Sequence, residues 1–92
     1  MLFVIYCIDK ETAGKARNDN LAAHRAYLSA SPVDIVLAGP LRTPDGRETV
    51  GSLFVVDAPS AAEADSFNRN DPLNRAGVWA SRALHGFVKR EV

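Results

Sequence analysis

The stretch LFVIYCI, residues 2–8, decides the fold, because it is free of charge and rich in β-branched and aromatic side chains. Side chains of a strand alternate between the two faces of a sheet, so this run predicts a strand that is apolar on both faces. The polar stretch from Asp9 to Thr12 closes it. A later stretch of the same character, Val50–Val56, indicates that the neighbouring strand is also apolar on both faces.

Between these two strands the pattern predicts a helix and a further strand. Apolar residues at helical spacing run from about Arg17 to Ala30, and Ser31-Pro32 ends the helix. Val33–Ala38 is typical of a strand, which we expect Gly39-Pro40 to stop. Pro44-Asp45-Gly46 is a turn signal, because glycine supplies a positive φ, and it joins this strand to the next as a hairpin.

The rest of the chain predicts one more helix and one more strand. Ser60 and Glu63 have the spacing of a capping box, and the helix that they begin is expected to run to about Asn70. Val78–Val88 then forms the fourth strand. The order is βαββαβ over a single domain of residues 1–92, without repeats or linkers.

With right-handed crossovers this order closes into a four-stranded antiparallel sheet with both helices on one face, the ferredoxin-like α+β arrangement. The helices cover only one of the two apolar faces. The other face would be a large exposed apolar patch in a monomer. Packing it against a second copy removes that patch, so the pattern predicts a homodimer through the sheet face.

Composition excludes several classes of function and location. The 11 basic and 11 acidic side chains balance, and no basic stripe indicates nucleic-acid binding. The apolar run at residues 2–8 is too short to span a membrane and lacks the flanks of a signal peptide. The lone Cys7 excludes an internal disulfide and fits a reducing, cytoplasmic location.

Each predicted helix places one titratable group on the face toward the sheet: His24 on the first, and Asp71 beside Phe67 on the second. We expect Asp71 at the C-terminus of its helix, where the dipole disfavours an anion and a protonated His24 would compensate it. Such a pair acts as a general base with an orienting carboxylate, because the carboxylate fixes the tautomer of the imidazole.

Structural explanations compete with each of these interpretations. One histidine on an apolar helix face is more often a structural residue, and an Asp before Pro commonly caps a turn. Arg17 lies on the face of His24 and is either a clamp for an anionic group or a solvated residue of the first turn. Ser52 lines a pocket or faces solvent from a strand.

For the remaining candidates, the sequence favours structural roles over chemical ones. Cys7 lies in an apolar run without a basic neighbour, which is typical of a core thiol rather than a nucleophile. His85 shares the alternation of Trp79 and Phe87 and is expected at an edge or an interface. Two histidines and one cysteine make no metal-ligand cluster, and isolated glycines make no phosphate loop. We therefore expect neither a metal nor a cofactor.

Taken together, several short motifs resemble the YciI-like (YCII-related) family. They are AAHRAYL around His24, AGP at residues 38–40, GS at 51–52, NDP at 70–72 and AG at 76–77. Each is weakly specific, whereas their order and spacing over nearly the whole chain are much more specific.

The resemblance implies a dimeric α+β barrel with a His–Asp pair in a pocket between helices and sheet, here His24 and Asp71. It implies Arg17 and Ser52 beside that pocket, and the AGP and NDP motifs add Gly39, Pro40 and Pro72 as substrate-binding positions. Some members eliminate chloride from a hydroxylated aromatic. Two positions depart from the pattern: Leu73 replaces a common aromatic, which affects the pocket, and Gly86 replaces a proline of the last strand.

Three hypotheses follow. The first is a cofactor-free acid–base enzyme of lyase or isomerase type, acting on a small cyclic or aromatic metabolite, with His24 as base and Asp71 as orienting group. The second is a non-catalytic module that binds a small molecule or serves a larger complex. The third is a purely structural interaction domain, whose pocket would be filled by its own side chains.

Overall fold

The four strands form one antiparallel sheet in a computed structural model that describes residues 1–92. The elements are β1 (Leu2–Asp9), α1 (Gly14–Ser29), β2 (Asp34–Arg42), β3 (Thr49–Asp57), α2 (Ala61–Arg69), α3 (Pro72–Arg75) and β4 (Trp79–Phe87). The strand order is β2-β3-β1-β4, with β1 and β3 in the centre. This order confirms the predicted α+β class and the ferredoxin-like arrangement.

The two faces of the sheet differ in cover, as alternation along β1 shows. Phe3, Ile5 and Cys7 point toward the helices and are buried, and Phe54 and Val56 of β3 lie opposite Ile5 and Phe3. This alternate set forms the core together with apolar residues of the helices.

The intervening side chains form what we call the open face, which includes Tyr6, Ile8, Leu37 and Phe87. All four are exposed, with Tyr6 41% and Phe87 44% accessible. They lie on three of the four strands and turn away from the helices. Apolar side chains therefore lie on both faces of the sheet, as the sequence predicts.

The second strand is longer than predicted, because Gly39-Pro40 does not stop it. β2 continues to Arg42, and Pro40 pairs with Ser52 of β3. β2 is an edge strand, where a missing N–H group disturbs no ladder on the solvent side, so proline is tolerated. α1 also begins earlier than predicted, at Gly14, so Arg17 lies within its first turn.

The prediction that placed Asp71 at the C-terminal end of the second helix is wrong. α2 ends at Arg69, and Asp71 is instead the N-cap of α3, with φ −59° and ψ 133°. Proline disfavours helical geometry in the residue before it, so Pro72 ends one helix and occupies the first position of the next. The carboxylate accepts a backbone N–H group here, so the dipole does not oppose it.

A bulge changes which face of the sheet the residues of the last strand occupy. The register of β1 against β4 shifts between Ile8 and Asp9, and Trp79 beyond this shift is buried in the core. His85 pairs with Val4 and is exposed on the open face. The prediction that Trp79 and His85 lie on the same face of the last strand is therefore wrong. His85 does lie on an edge strand, as the sequence predicts.

Candidate active site

His24 and Asp71 are in direct contact between α1 and α3. Nδ1 of the imidazole lies 2.9 Å from Oδ1 and 2.8 Å from Oδ2 of the carboxylate. Asp71 is fully buried, and His24 is 9% exposed. A carboxylate only accepts hydrogen bonds, so Nδ1 of His24 carries the proton and donates it.

Local structure holds both side chains in this geometry. The backbone N–H group of Leu73 donates to Oδ1 of Asp71 at 2.8 Å, which fixes the carboxylate at the start of α3. Leu73 itself is fully buried and anchors α3 in the core. His24 packs edge-on against Phe54 of the sheet, with ring centroids 6.2 Å apart.

The other ring nitrogen of His24 is free. Nε2 has no hydrogen-bond partner within the protein and is not enclosed by it, and His24 lines a cavity. A neutral imidazole that donates from Nδ1 has an unshared electron pair at Nε2. The arrangement therefore presents a base to the cavity, with its tautomer fixed from behind.

Arg17 is held by the side chains of Asp9 and Ser52, of which only Ser52 is a predicted site residue. Its Nε donates to Asp9 at 2.8 Å, and its Nη2 donates to Asp9 at 3.0 Å and to Ser52 at 2.8 Å. Asp9 was not predicted as a site residue. The one available signal is its position directly after the apolar run of β1, at the end of a central strand.

We call the space beside these residues the His24 cavity. It has a volume of about 360 Å³ and lies between α1, β2 and β3. Among its lining residues are His24, Arg17, Ser52, Gly39 and Pro40, all of which the sequence predicts. A cavity of this volume suits a small organic ligand.

Two predicted site residues lie outside the cavity wall. Asp71 reaches the cavity only through His24, and Pro72 does not line it. Conversely, Phe54, Arg25 and Arg42 line it without having been predicted as site residues. Arg42 lies beyond Gly39-Pro40, where the sequence predicts the end of its strand, so the sequence does not place it at the site.

A neighbouring, larger cavity of about 630 Å³ shares Arg17, Asn18 and Thr49 with the first. Its wall is mainly charged and polar, and it contains neither histidine. Of the two, the His24 cavity is the candidate site, because it contains an unpartnered base.

Burial controls the other titratable groups near the core. Burial raises the pKa of the Cys7 thiol to about 11, so the thiol is protonated at neutral pH and is a poor nucleophile. Burial, and then the negative charge of Asp71, raise the pKa of the Tyr27 phenol, which donates a hydrogen bond to the carbonyl of Phe67 at 2.9 Å. Both groups are suited to structural roles.

The profile of the YCII-related domain matches residues 1–88, nearly the whole chain. The chain belongs to the YCII-related family. This confirms the resemblance that the short motifs indicate. No curated protein matches the chain.

Solved structures agree with the family assignment. The chain is 35% identical to the 5-chloro-2-hydroxyhydroquinone dehydrochlorinase TftG from Burkholderia phenoliruptrix AC1100, solved in complex with 2,5-dihydroxybenzoquinone. The match covers 96% of this chain and 94% of that one, with a TM-score of 0.85. The Arabidopsis thaliana protein At3g17210 matches at a TM-score of 0.53 and 11% identity over 99% of this chain and 96% of that one, which supports the fold alone.

No helix has the length and apolar character needed to cross a membrane. No group of three or more histidine, cysteine, aspartate or glutamate side chains is arranged to hold a metal ion.

Proposed function

We propose that this YCII-related protein is a cofactor-free acid–base enzyme of lyase type, acting on a small hydroxylated ring. The observation that carries the proposal is the free Nε2 of His24 facing a cavity while Asp71 holds Nδ1 from behind. A base with this support is the usual machinery of proton abstraction. The likeness to the dehydrochlorinase favours an elimination among the possible proton transfers.

In the proposed step, the ring reacts as its keto tautomer, in which the carbon that bears the leaving group X is tetrahedral. Nε2 of His24 removes the proton of a ring hydroxyl, and the electron pair of that O–H bond forms a C=O bond. A ring double bond shifts onto the carbon that bears X, and X departs with the electron pair of the C–X bond, so HX is lost overall. Asp71 stabilises the imidazolium that forms, because its carboxylate receives the hydrogen bond from Nδ1.

The Arg17–Ser52 pair supplies orientation. Ser52 is buried, and its hydroxyl already accepts from Arg17, so its own proton is available to an oxygen on the ring. The Arg17 guanidinium is fixed by Asp9 and cannot swing away. We propose that both hold a polar substituent of the substrate, with Gly39 and Pro40 lining the cavity and Pro72 fixing the start of α3 beside Asp71.

The direct test is release of chloride from 5-chloro-2-hydroxyhydroquinone by the purified protein. We expect turnover in the wild type and its loss in His24→Gln. Ligand binding without turnover in the wild type would favour the non-catalytic module instead. Full activity in His24→Gln would contradict the proposed base.

We also propose that the protein is a homodimer through the open face. Aliphatic and aromatic side chains lie side by side there, and their exposure in a monomer is unfavourable. Sedimentation analysis of the wild type is expected to give twice the monomer mass, and Tyr6→Glu is expected to give the monomer. A monomeric wild type contradicts this assembly.

We place the protein in the cytoplasm, without a nucleic-acid partner. The single cysteine is free and buried, which suits a reducing compartment, and the net charge of zero gives no attraction to a phosphate backbone. Fractionation of cells that produce a tagged chain tests this location.

A further inference from the structure

We infer that the substrate of the His24 cavity is an anion, a single-ring compound that carries a carboxylate or an ionised ring oxygen, and that Arg25 and Arg42 select it. The inference rests on the proposed function in placing the substrate in this cavity. It adds the charge of the substrate and two residues that recognise it.

The first argument is the sign of the charge around the cavity. No aspartate or glutamate lines it, whereas Arg17, Arg25 and Arg42 do. Asp71 is screened from the cavity by His24, whose Nδ1 it holds. The protein as a whole has zero net charge, so this positive wall is a local feature rather than the result of a basic surface.

The second argument is that the three arginines differ in their partners. Asp9 neutralises Arg17 through two hydrogen bonds in a nearly buried ion pair. Arg25 has no carboxylate partner, and Arg42 donates only to the backbone carbonyl of Gly46. Two guanidinium groups are therefore left with uncompensated charge at this cavity.

The third argument is placement. Arg25 follows His24 on α1, and Arg42 ends the edge strand β2, so the two approach the cavity from different walls. A guanidinium presents several N–H donors in a planar fork, which matches two oxygen acceptors of one anionic group. A ligand beside His24 lies within the combined positive field of both.

The apolar residues of the cavity wall indicate the uncharged part of the ligand. Leu21, Leu28 and Phe54 contribute apolar surface, and the volume of about 360 Å³ is at the small end of the range for ligand sites. These features fit one ring rather than a larger ring system. An acidic ring also suits the proposed chemistry, since its charge orients the group that His24 deprotonates.

Binding of matched compounds tests the inference without any need for turnover. The probes are benzoate with benzamide, and para-nitrophenolate with para-nitroanisole, followed by NMR titration of the protein. We expect the anion of each pair to bind more tightly, and its affinity to fall as salt is added. The carboxylate pair and the phenolate pair distinguish the two sources of negative charge.

Variants assign the preference to residues. Arg25→Gln and Arg42→Gln are each expected to weaken anion binding about threefold, and the double variant about tenfold, as for exposed ion pairs. Binding of the neutral compounds should not change. Arg90→Gln is the matched control, because Arg90 is exposed and lines no cavity.

The outcomes separate this inference from the proposed function. Equal binding of anion and neutral partner, no binding into the millimolar range, or full anion preference in the double variant overturns the anion inference. Anion preference that depends on both arginines, in a protein that shows no turnover, upholds the inference and rejects the enzyme.

Discussion

Of the polar clusters between the helices and the sheet, two differ in whether their hydrogen bonds are complete. In the first, Asp71 holds Nδ1 of His24, and Nε2 is left free toward a cavity. In the second, fully buried Asn68 accepts from Arg82 at 2.9 Å and lies 3.6 Å from the sulfur of Cys7. Arg82 also donates to Asp65 at 3.1 Å.

The two clusters are alike in burial and differ in access. Both clusters contain a completely buried polar side chain, and both connect a helix with a neighbouring element. Only the first has an unpartnered basic atom that a ligand can reach. The proposed function places reactivity in the open cluster, and we expect the closed one to contribute stability.

The largest expected effect comes from breaking the open cluster. His24→Gln and Asp71→Asn should each lower kcat by about 10²–10⁴-fold, the usual contribution of a positioned base. Asn at position 71 still accepts the N–H group of Leu73, so the start of α3 is kept, while its amide no longer supports an imidazolium.

Kinetics of chloride release and circular dichroism of both variants check this prediction. His85→Gln is the matched control, since His85 is the only other histidine and is exposed on the open face. Unfolding of both variants, with His85→Gln active, would mean that the pair is structural.

Breaking the closed cluster should act on stability rather than on turnover. Asn68→Ala leaves the half-buried Arg82 with one partner fewer and opens a small void, which we expect to lower the free energy of unfolding by about 3 kcal/mol. Denaturant unfolding measures this loss, with the exposed Asn18→Ala as control. A large fall in kcat of folded Asn68→Ala would remove the distinction between the clusters.

The closed cluster also predicts a dependence of stability on alkaline pH. The pKa of Cys7 rises from 9.0 to about 11 in the folded chain, because burial disfavours the thiolate. Folding therefore gains stability that is complete below pH 9.0 and is lost as the pH rises through about 11. The lost stability is about 2–3 kcal/mol.

Comparison with Cys7→Ala isolates this contribution from other groups that titrate at high pH. Wild type should lose its advantage over the variant between pH 9.0 and about 11 in unfolding experiments. A difference between the two proteins that stays constant over this range contradicts the assignment.

A smaller effect is expected where Cys7 of the closed cluster lies against β3. Cys7 pairs with Ser52, and a Cβ atom at the adjacent Gly51 would lie 2.1 Å from the carbonyl oxygen of Cys7. Gly51→Ala must therefore shift β3 against β1, at a cost of about 2 kcal/mol in unfolding free energy. The shift also moves Ser52 away from Arg17, which should raise KM.

Gly86→Ala is the control for this substitution, because nothing lies within 4 Å of a Cβ atom there. We expect Gly86→Ala to be neutral or slightly stabilising in thermal unfolding. Equal stability of the two variants would show that the close approach at Gly51 relaxes without consequence.

The architecture was predictable because the strongest signals are local. LFVIYCI and Val50–Val56 are long enough to determine two strands and both faces, and the capping bond from Glu63 to Ser60 forms as the sequence indicates. Contact between His24 and Asp71 follows from placing both helices on one side of the sheet. The periodicity of α1 was sufficient to bring His24 to the inner face.

The remaining details depend on positions in the assembled sheet. Proline at position 40 stops a central strand but not an edge strand, and edge position is a property of the topology. The sequence does not show which helix end Asp71 occupies, because only Asn70 and Asp71 lie between α2 and α3. The sequence indicates Asp9 only as the end of a strand, because the contact with its partner Arg17 on α1 forms only in the folded chain.

The most direct test of the central claim is the position of the proton on His24, measured by NMR of the ¹⁵N-labelled imidazole with and without a bound ring compound. The account predicts a proton on Nδ1 in the wild type at neutral pH, and a ligand-induced change at Nε2. A neutral imidazole with its proton on Nε2, or an Nε2 signal that no ligand perturbs, would contradict it.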